Sequence, residues 1–197
     1  MDAAPKRMTT EARRDHLLAF GRVHFAAHAY DAMSMDAIAE RAGVSKGLLY
    51  HYFGGQRGFY METVRAVTDE VIAVIEPPTG VSFEEAFRAM VTSFAGYVQD
   101  NGPIYQALVR GGLGSDTEVN ALLDRVRVRA HDIIVERLGI VSPSSLTQIA
   151  IYGWVSFVEN GAAEWVECQD VSPEVLIDLF VSAFDPVLST LQNGQCE

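Results

Sequence analysis

Long apolar runs, cysteines and positive charge are all scarce in this chain, and each scarcity removes a class of protein. No uninterrupted stretch of eighteen apolar side chains occurs in the 197 residues, so no membrane-spanning helix is expected. The opening text MDAAPKRMTTEARRD lacks the apolar middle of a secretory signal, and a cytoplasmic protein without a membrane partner is the expectation. Two cysteines, Cys168 and Cys196, are too few for a disulfide framework and have no ligand spacing around them. The five histidines, His16, His24, His28, His51 and His131, show no metal spacing; His24 and His28 stand four apart, but no third ligand accompanies them. No serine or cysteine sits in a nucleophile motif, and GGLGSD at 111–116 lacks the lysine and hydroxyl of a phosphate-binding loop. The reading is therefore of a non-enzyme, with no metal, no cofactor and no catalytic residue to assign.

The shortage of positive charge is uneven. The chain carries a net charge of −11, which taken as an average argues against nucleic acid, because duplex binding depends on lysine and arginine meeting phosphates. Residues 1–65, however, hold nine Lys and Arg against seven Asp and Glu, while residues 66–197 hold six against nineteen. A mildly basic N-terminal third is joined to a strongly acidic remainder. That asymmetry fits a DNA-facing module attached to a domain with another task, although acidic surfaces also serve solubility alone.

What the chain has in abundance is helical periodicity. Apolar residues recur at three and four with hardly any sustained alternation, so the expected fold is all-α with about nine helices and no sheet. The first spans about Thr10 to Ala29. Ser34 caps a short helix to Ala42, and Ser45 opens another that ends near Tyr52. A longer helix from Gln56 reaches Glu76, where Pro77 and Pro78 cannot continue it. Ser82 and Glu85 have capping-box spacing and start a helix to about Gln99. Further helices are expected over 104–110, 116–138, 145–167 and 172–192. The last opens with Ser172-Pro173-Glu174 and is kinked or ended early by Pro186.

The stretch MSMDAIAERAGVSKGLLYHYF, residues 33–53, meets the requirements of a helix-turn-helix. Ala39 is the small contact between the two helices, Gly43 tolerates a positive φ in the turn, and Ile38, Val44, Leu49 and Phe53 form the apolar lock. If those face inward, helical spacing turns Ser45, Lys46, Gly47, Tyr50 and His51 outward, a set rich in donors with a gap at Gly47. Read alone, the same pattern also suits a generic helical hairpin.

The text AIAERAGVSKGLLYHYF followed by GGQRGFYMETV closely resembles the DNA-binding domain of the TetR family of transcriptional regulators, over roughly residues 10–65. The resemblance implies an N-terminal helix-turn-helix domain at 1–55, a connecting helix at 56–76, and a larger helical ligand-binding and dimerisation domain at 77–197. It implies that Ser45, Lys46 and Gly47 open the recognition helix against phosphate or base edges, with Tyr50, His51 and Tyr52 following along the groove wall. Ser34 would cap the preceding helix and present its N-terminal N–H groups to a phosphate. Tyr52 reads equally as a packing residue, and His51 as a solvated one; Lys6, Arg7, Arg13 and Arg14 could add nonspecific attraction. Two departures stand out. Ala29 replaces the glycine that usually precedes the aromatic after the first helix, and Gly55-Gln56 replaces a serine-lysine pair whose lysine touches phosphate. Arg57 is the candidate substitute for that lysine.

For the acidic remainder the likeness is one of pattern. Phe87, Met90, Phe94, Tyr97, Tyr105, Trp154, Phe157 and Trp165, with His131, Glu159 and Asn160 as polar groups, are the candidate lining of an effector cavity, and a plain core, or for the polar groups a surface position, is the competing account of the same residues. Gly153, Ser156, Asn160 and Ala163 form a small-residue stripe, and Leu176, Leu179, Phe180, Ala183 and Val187 an apolar one; together they are the candidate homodimer interface. The expected function is a transcriptional repressor that binds operator DNA as a homodimer and is released by a small apolar or aromatic molecule. The alternative is a DNA-binding architectural or adaptor protein that answers to no effector.

Overall fold

The computed structural model describes residues 9–28, 30, 34–111, 116–168 and 170–193. Expectations for Lys6, Arg7, Ala29, most of the GGLGSD connector and Cys196 lie outside the described residues. Within them the chain is all-helical, with nine helices: α1 (Thr10–Ala27), α2 (Met35–Ala42), α3 (Lys46–Phe53), α4 (Gln56–Val74), α5 (Phe83–Gly111), α6 (Thr117–Arg137), α7 (Ser145–Trp165), α8 (Pro173–Ser182) and α9 (Asp185–Asn193).

The helix starts are where short polar side chains can satisfy orphan N–H groups. Thr9, Ser34, Ser45, Asp116, Ser144 and Ser172 each accept a hydrogen bond from an amide two or three residues on. Ser82 and Glu85 close the expected box reciprocally: Glu85 N donates to Ser82 Oγ at 3.2 Å, and Ser82 N donates to Glu85 Oε2 at 3.1 Å.

Helix divisions depart from expectation at two prolines. The helices expected to about Gln99 and over 104–110 run together as α5, two helical segments joined at a kink. Pro103 takes away one intrahelical N–H, but the chain absorbs this in a kink at Asn101 (φ −124°, ψ 21°). The Asn101 side chain donates to the Tyr97 carbonyl at 3.1 Å. At the other proline the last helix does end early. It breaks after Ser182, and Pro186 falls at the second position of α9, where no intrahelical N–H is needed.

The chain forms two compact units that divide between Val67 and Thr68, inside the helix expected to connect the domains. The first half of α4 belongs to the N-terminal unit because Phe59 and Tyr60 complete its core. Phe59 lies 5.5 Å from Phe25 and 4.8 Å from Phe53, centroid to centroid, and Tyr60 meets Phe25 edge-on at 4.9 Å. Leu17, Ile38, Leu49 and Val64 fill the remaining space and are fully or almost fully buried. The second unit is built on α5, which packs along α7 and α8, with α6 against α7. Its centre is an aromatic cluster of Phe87, Trp154 and Phe184, with centroids 4.6 to 5.2 Å apart.

Candidate nucleic-acid interface

The turn between α2 and α3 is made by Gly43, which adopts φ 66° and ψ 30° and donates its N–H to the carbonyls of Ala39 and Glu40. A side chain at that φ would be strained, so glycine here ends α2 and re-aims the chain. Val44 N donates back to the Ala39 carbonyl at 3.0 Å. Ser45 then caps α3, its Oγ accepting from Leu48 N at 3.2 Å. Ile38, Ala39, Leu49 and Phe53 are buried and Val44 is half-buried, so the apolar lock points inward. The angle between the helices is therefore held by close-packed apolar contacts.

With that lock turned in, Ser45, Lys46, Gly47, Tyr50 and His51 lie on the exposed face, and nothing stands within 4 Å of where a Gly47 side chain would begin. Ser34 caps α2, its Oγ accepting from Ala37 N at 3.4 Å. Tyr52 behaves differently from its neighbours. It is half-buried, and its hydroxyl donates to the Thr10 carbonyl at 3.4 Å, bracing α3 against the start of α1. Of its two readings, packing is the one this contact supports.

Lys46 is not a bare cation. Its Nζ donates to Asp36 Oδ2 at 2.8 Å and lies 5.9 Å from the Tyr50 ring centroid. The hydrogen bond to Asp36 raises the ammonium above its ordinary pKa. Gln56, at the place where a lysine was expected, also has a structural use. Its Nε2 donates to the Tyr30 carbonyl at 2.6 Å, tying the start of α4 to the segment that follows α1. Arg57 beside it is exposed.

A polar strut that the i, i+4 spacing of His24 and His28 only hinted at joins α1 to α2. His28 Nδ1 donates to the His24 carbonyl at 3.1 Å, and Arg41 Nη1 donates to His28 Nε2 at 3.1 Å. A carbonyl can only accept and a guanidinium can only donate, so in these contacts Nδ1 is the donor and Nε2 the acceptor. His24 is buried and stacked on His28 at 4.9 Å. Desolvation first, then His28 and Arg41, push its pKa down.

Among the described contacts the candidate effector residues fall in more than one cluster. Phe87, Met90 and Trp154 are buried, and Trp154 Nε1 donates to the Phe180 carbonyl at 3.0 Å; Phe87 and Trp154 sit in the aromatic core. Phe94 is half-buried and lies edge-on to Tyr105, 5.6 Å away. Tyr105 donates to the Glu159 carbonyl at 3.0 Å, and burial pushes its phenol up. Tyr97 is buried, whereas Phe157 is 42% exposed. His131 stacks on Tyr152 at 4.6 Å with its Nδ1 3.0 Å from Asp132 Oδ1; its Nε2 is buried with no hydrogen-bond partner among the described residues.

A cleft of about 530 Å³ opens elsewhere in this unit, at the α5 kink and the end of α7. It is lined by Gln99, Pro103, Trp165, Cys168 and Ser172 among others, so of the candidate aromatics Trp165 lies on it. The kink that shapes it depends on Asn101, a signal read in the sequence only as a helix break.

On the candidate dimer face, Gly153, Ser156 and Asn160 are exposed along α7, in line with exposed Leu146, Ile149 and Phe157. The residues of the last stripe differ in burial. Leu176 and Phe180 are buried in the chain's own core, as is Ala163 of α7, and Ala183 and Val187 are half-buried. Ring contact of Phe180 with Phe157 and close approach to Gly161 turn that side of α8 inward. The outward apolar residues are therefore Val175 and Leu179, 61% and 51% exposed. Among the described residues no helix is long and apolar enough to cross a membrane, and no three His, Cys, Asp or Glu side chains converge as a metal site.

Comparison with known proteins agrees with this geometry at both ends of the chain. The model for bacterial regulatory proteins of the tetR family matches residues 17–63, and that for the tetracyclin repressor-like C-terminal domain matches residues 83–185. The HTH-type transcriptional activator FasR of Mycolicibacterium smegmatis is 26% identical over 117 residues, covering 58% of this chain and 53% of its own length. The HTH-type transcriptional regulator BetI of Vibrio campbellii is 42% identical over 45 residues, 23% of each chain. This chain thus spans about half the length, or less, of these curated relatives. Among solved structures, a tetR-family transcriptional regulator from Streptomyces coelicolor superposes with a TM-score of 0.82 at 27% identity, covering 93% of this chain and 83% of its own. With one family matched across the helix-turn-helix and again across more than half of the chain downstream, the protein belongs to the TetR family of bacterial transcriptional regulators.

Proposed function

We propose that the protein is a cytoplasmic repressor that binds operator DNA as a homodimer and is released by a small apolar or aromatic ligand. The observation that carries the DNA-binding part is the sorting of α3. Leu49 and Phe53 are buried, while Ser45, Lys46, Gly47, Tyr50 and His51 share the exposed side with the N-terminus of α2. Donors at a helix start and a capped helix N-terminus are what phosphates and major-groove base edges require.

Pairing of two such units rests on the exposed apolar stripe of α7 and α8, with Leu146, Ile149, Phe157, Val175 and Leu179 around Gly153, Ser156 and Asn160. A twofold pair presents two recognition helices, and these must lie about 34–36 Å apart, or a multiple of that, to read successive half-sites. Effector recognition rests on His131. A buried ring nitrogen without a partner is costly, and an acceptor or donor on a bound molecule would relieve that cost.

Communication between ligand and DNA runs through α6 in this reading. Arg125 of α6 pairs with Asp69 at 2.9 Å, Arg129 pairs with Glu76 at 2.5 Å, and Arg137 donates to the Pro78 carbonyl at 2.6 Å. Asp69 lies on α4 and the other two partners just beyond it. A ligand that displaces α6 would therefore pull on the helix that continues into the N-terminal unit, and differential affinity for the two arrangements is what shifts the population.

Gel shifts on duplexes from upstream of neighbouring genes, with and without candidate apolar ligands, test the proposal. The wild type should retard one duplex, and Lys46→Ala with Tyr50→Ala should abolish that shift. Intact specific binding by the double variant would refute the recognition-helix assignment. Binding that no ligand weakens would favour an effector-independent architectural protein.

A further inference from the structure

We propose that Asp36 is a specificity-determining residue of the DNA-binding surface, holding the Lys46 ammonium in a neutral pair so that it addresses base edges instead of phosphates. The inference rests on the reading of α3 as the recognition helix. Asp36 is the second residue of α2 and Lys46 the first of α3. The carboxylate and the ammonium meet at 2.8 Å while both side chains stay exposed, at 68% and 50%. A pair so open to solvent contributes little to folding. Its position is what distinguishes it, because it stands on the outward face between the capped start of α2 and the exposed ring of Tyr50.

A carboxylate in that place is unfavourable for a surface whose only task is to hold phosphate. The start of α2 presents free N–H groups that attract an anion, and Asp36 puts a negative charge beside them. Lys46 and Lys6 are the only lysines in the chain. An unpaired lysine is a hydrated point charge that follows the nearest phosphate on any duplex. Paired with Asp36 it has no net charge to draw it there, yet two of its three N–H donors remain. Those donors suit guanine O6 and N7 or thymine O4 in the major groove, and the carboxylate is itself an acceptor for cytosine N4. The pair gives up nonspecific affinity and gains discrimination, since a wrong base leaves its donors unmatched and no net charge compensates on the phosphates.

Asp36→Asn removes the charge with almost no change of shape at an exposed position, and an unchanged far-UV circular dichroism melt shows that the fold is kept. Two probes suffice, a duplex enriched from a random library by the wild-type protein and a duplex of random sequence, each titrated by fluorescence anisotropy over a salt series. The variant should bind the random duplex more tightly, with a log–log salt slope steeper by about 0.9 for each recognition helix engaged. It should gain nothing on the enriched duplex, so that selectivity falls roughly tenfold per half-site, the size of one lost base contact. Lys46→Ala should weaken binding to the enriched duplex, and adding Asp36→Asn to it should change slope and selectivity by much less than Asp36→Asn does with Lys46 present. The proposal is overturned if Asp36→Asn leaves slope and selectivity as they were, or if its effect persists in full without Lys46. A wild-type protein that enriches no duplex would refute the DNA-binding reading itself, which is a separate outcome.

Discussion

Two glycine-to-alanine substitutions in adjacent helices should shift stability in opposite directions. Gly58 lies in the first turn of α4, and a Cβ built there would stand 1.8 Å from the Phe53 carbonyl oxygen and 3.0 Å from the Phe53 carbonyl carbon. Gly47, in the first turn of α3, has nothing within 4 Å of its Cβ position. Neither residue has a positive φ, so alanine suits both backbones and by propensity alone would add about 0.5–1 kcal/mol at each. At position 47 that gain is the whole effect on stability, and Gly47→Ala should melt a few degrees higher. At position 58 the methyl group meets backbone that must move by more than 1 Å. Overpacking of this kind costs about 1–3 kcal/mol, and more where no side chain can swing away. A net loss of about 2 kcal/mol, or on the order of 10 °C in a domain of this size, is the expected result for Gly58→Ala. Because the obstructed carbonyl ends α3, duplex binding should weaken as well. Circular dichroism melts of the two variants beside the wild type decide the matter. A Gly58→Ala protein that melts at or above the wild type would refute the close approach of α4 to the end of α3.

Other expectations follow from single contacts. Because the folded state lowers the pKa of His24 below the ordinary 6.5, the unfolded chain binds the extra proton first. Stability should therefore be full above about pH 6.5 and fall as pH drops below it, until the folded value is passed; His24→Gln should flatten that dependence in melts at neutral and acid pH. Phe184→Ala removes a side chain that is 2% exposed and packed between Phe87 and Trp154, and should cost about 3–5 kcal/mol in denaturant titrations. A loss below about 1 kcal/mol would mean that the cluster is loosely packed. Leu179→Glu should leave the melt nearly unchanged but lower the mass seen in sedimentation from twice 21.6 kDa to 21.6 kDa. Phe180→Glu, one residue along, should unfold the protein. A Leu179→Glu protein that stays dimeric would move the interface elsewhere.

Features that depend on neighbours along the chain were readable in the amino-acid sequence. Ser34, Ser45, Ser82 with Glu85, Asp116 and Ser172 mark helix starts because a cap bonds an amide two or three residues away, whatever the rest of the molecule does. Gly43 was legible for the same reason, since a left-handed φ is a local demand. The inward placement of Ile38, Leu49 and Phe53 followed from helical period alone.

Choices between equivalent local solutions were settled only in three dimensions. Pro103 marks a break, but how the two segments meet, in a kink at Asn101 bonded back to Tyr97 with α5 packed on α7, was settled by the fold. Either side of α8 is apolar enough to be buried, and contact with Phe157 and Gly161 chose Phe180 over Leu179. Gln56 and Asp36 were opaque for another reason, because their partners Tyr30 and Lys46 lie 26 and 10 residues away and meet them only when the helices dock. Sequence by itself determined the capped helix starts, the Gly43 turn and the apolar period of the helix-turn-helix, all of which rest on interactions within a turn or two of chain. Tertiary structure alone decided which polar groups meet across helices, which glycine cannot accept a methyl group, and which apolar side chains stay exposed, because each is a competition between surfaces that only folding brings together.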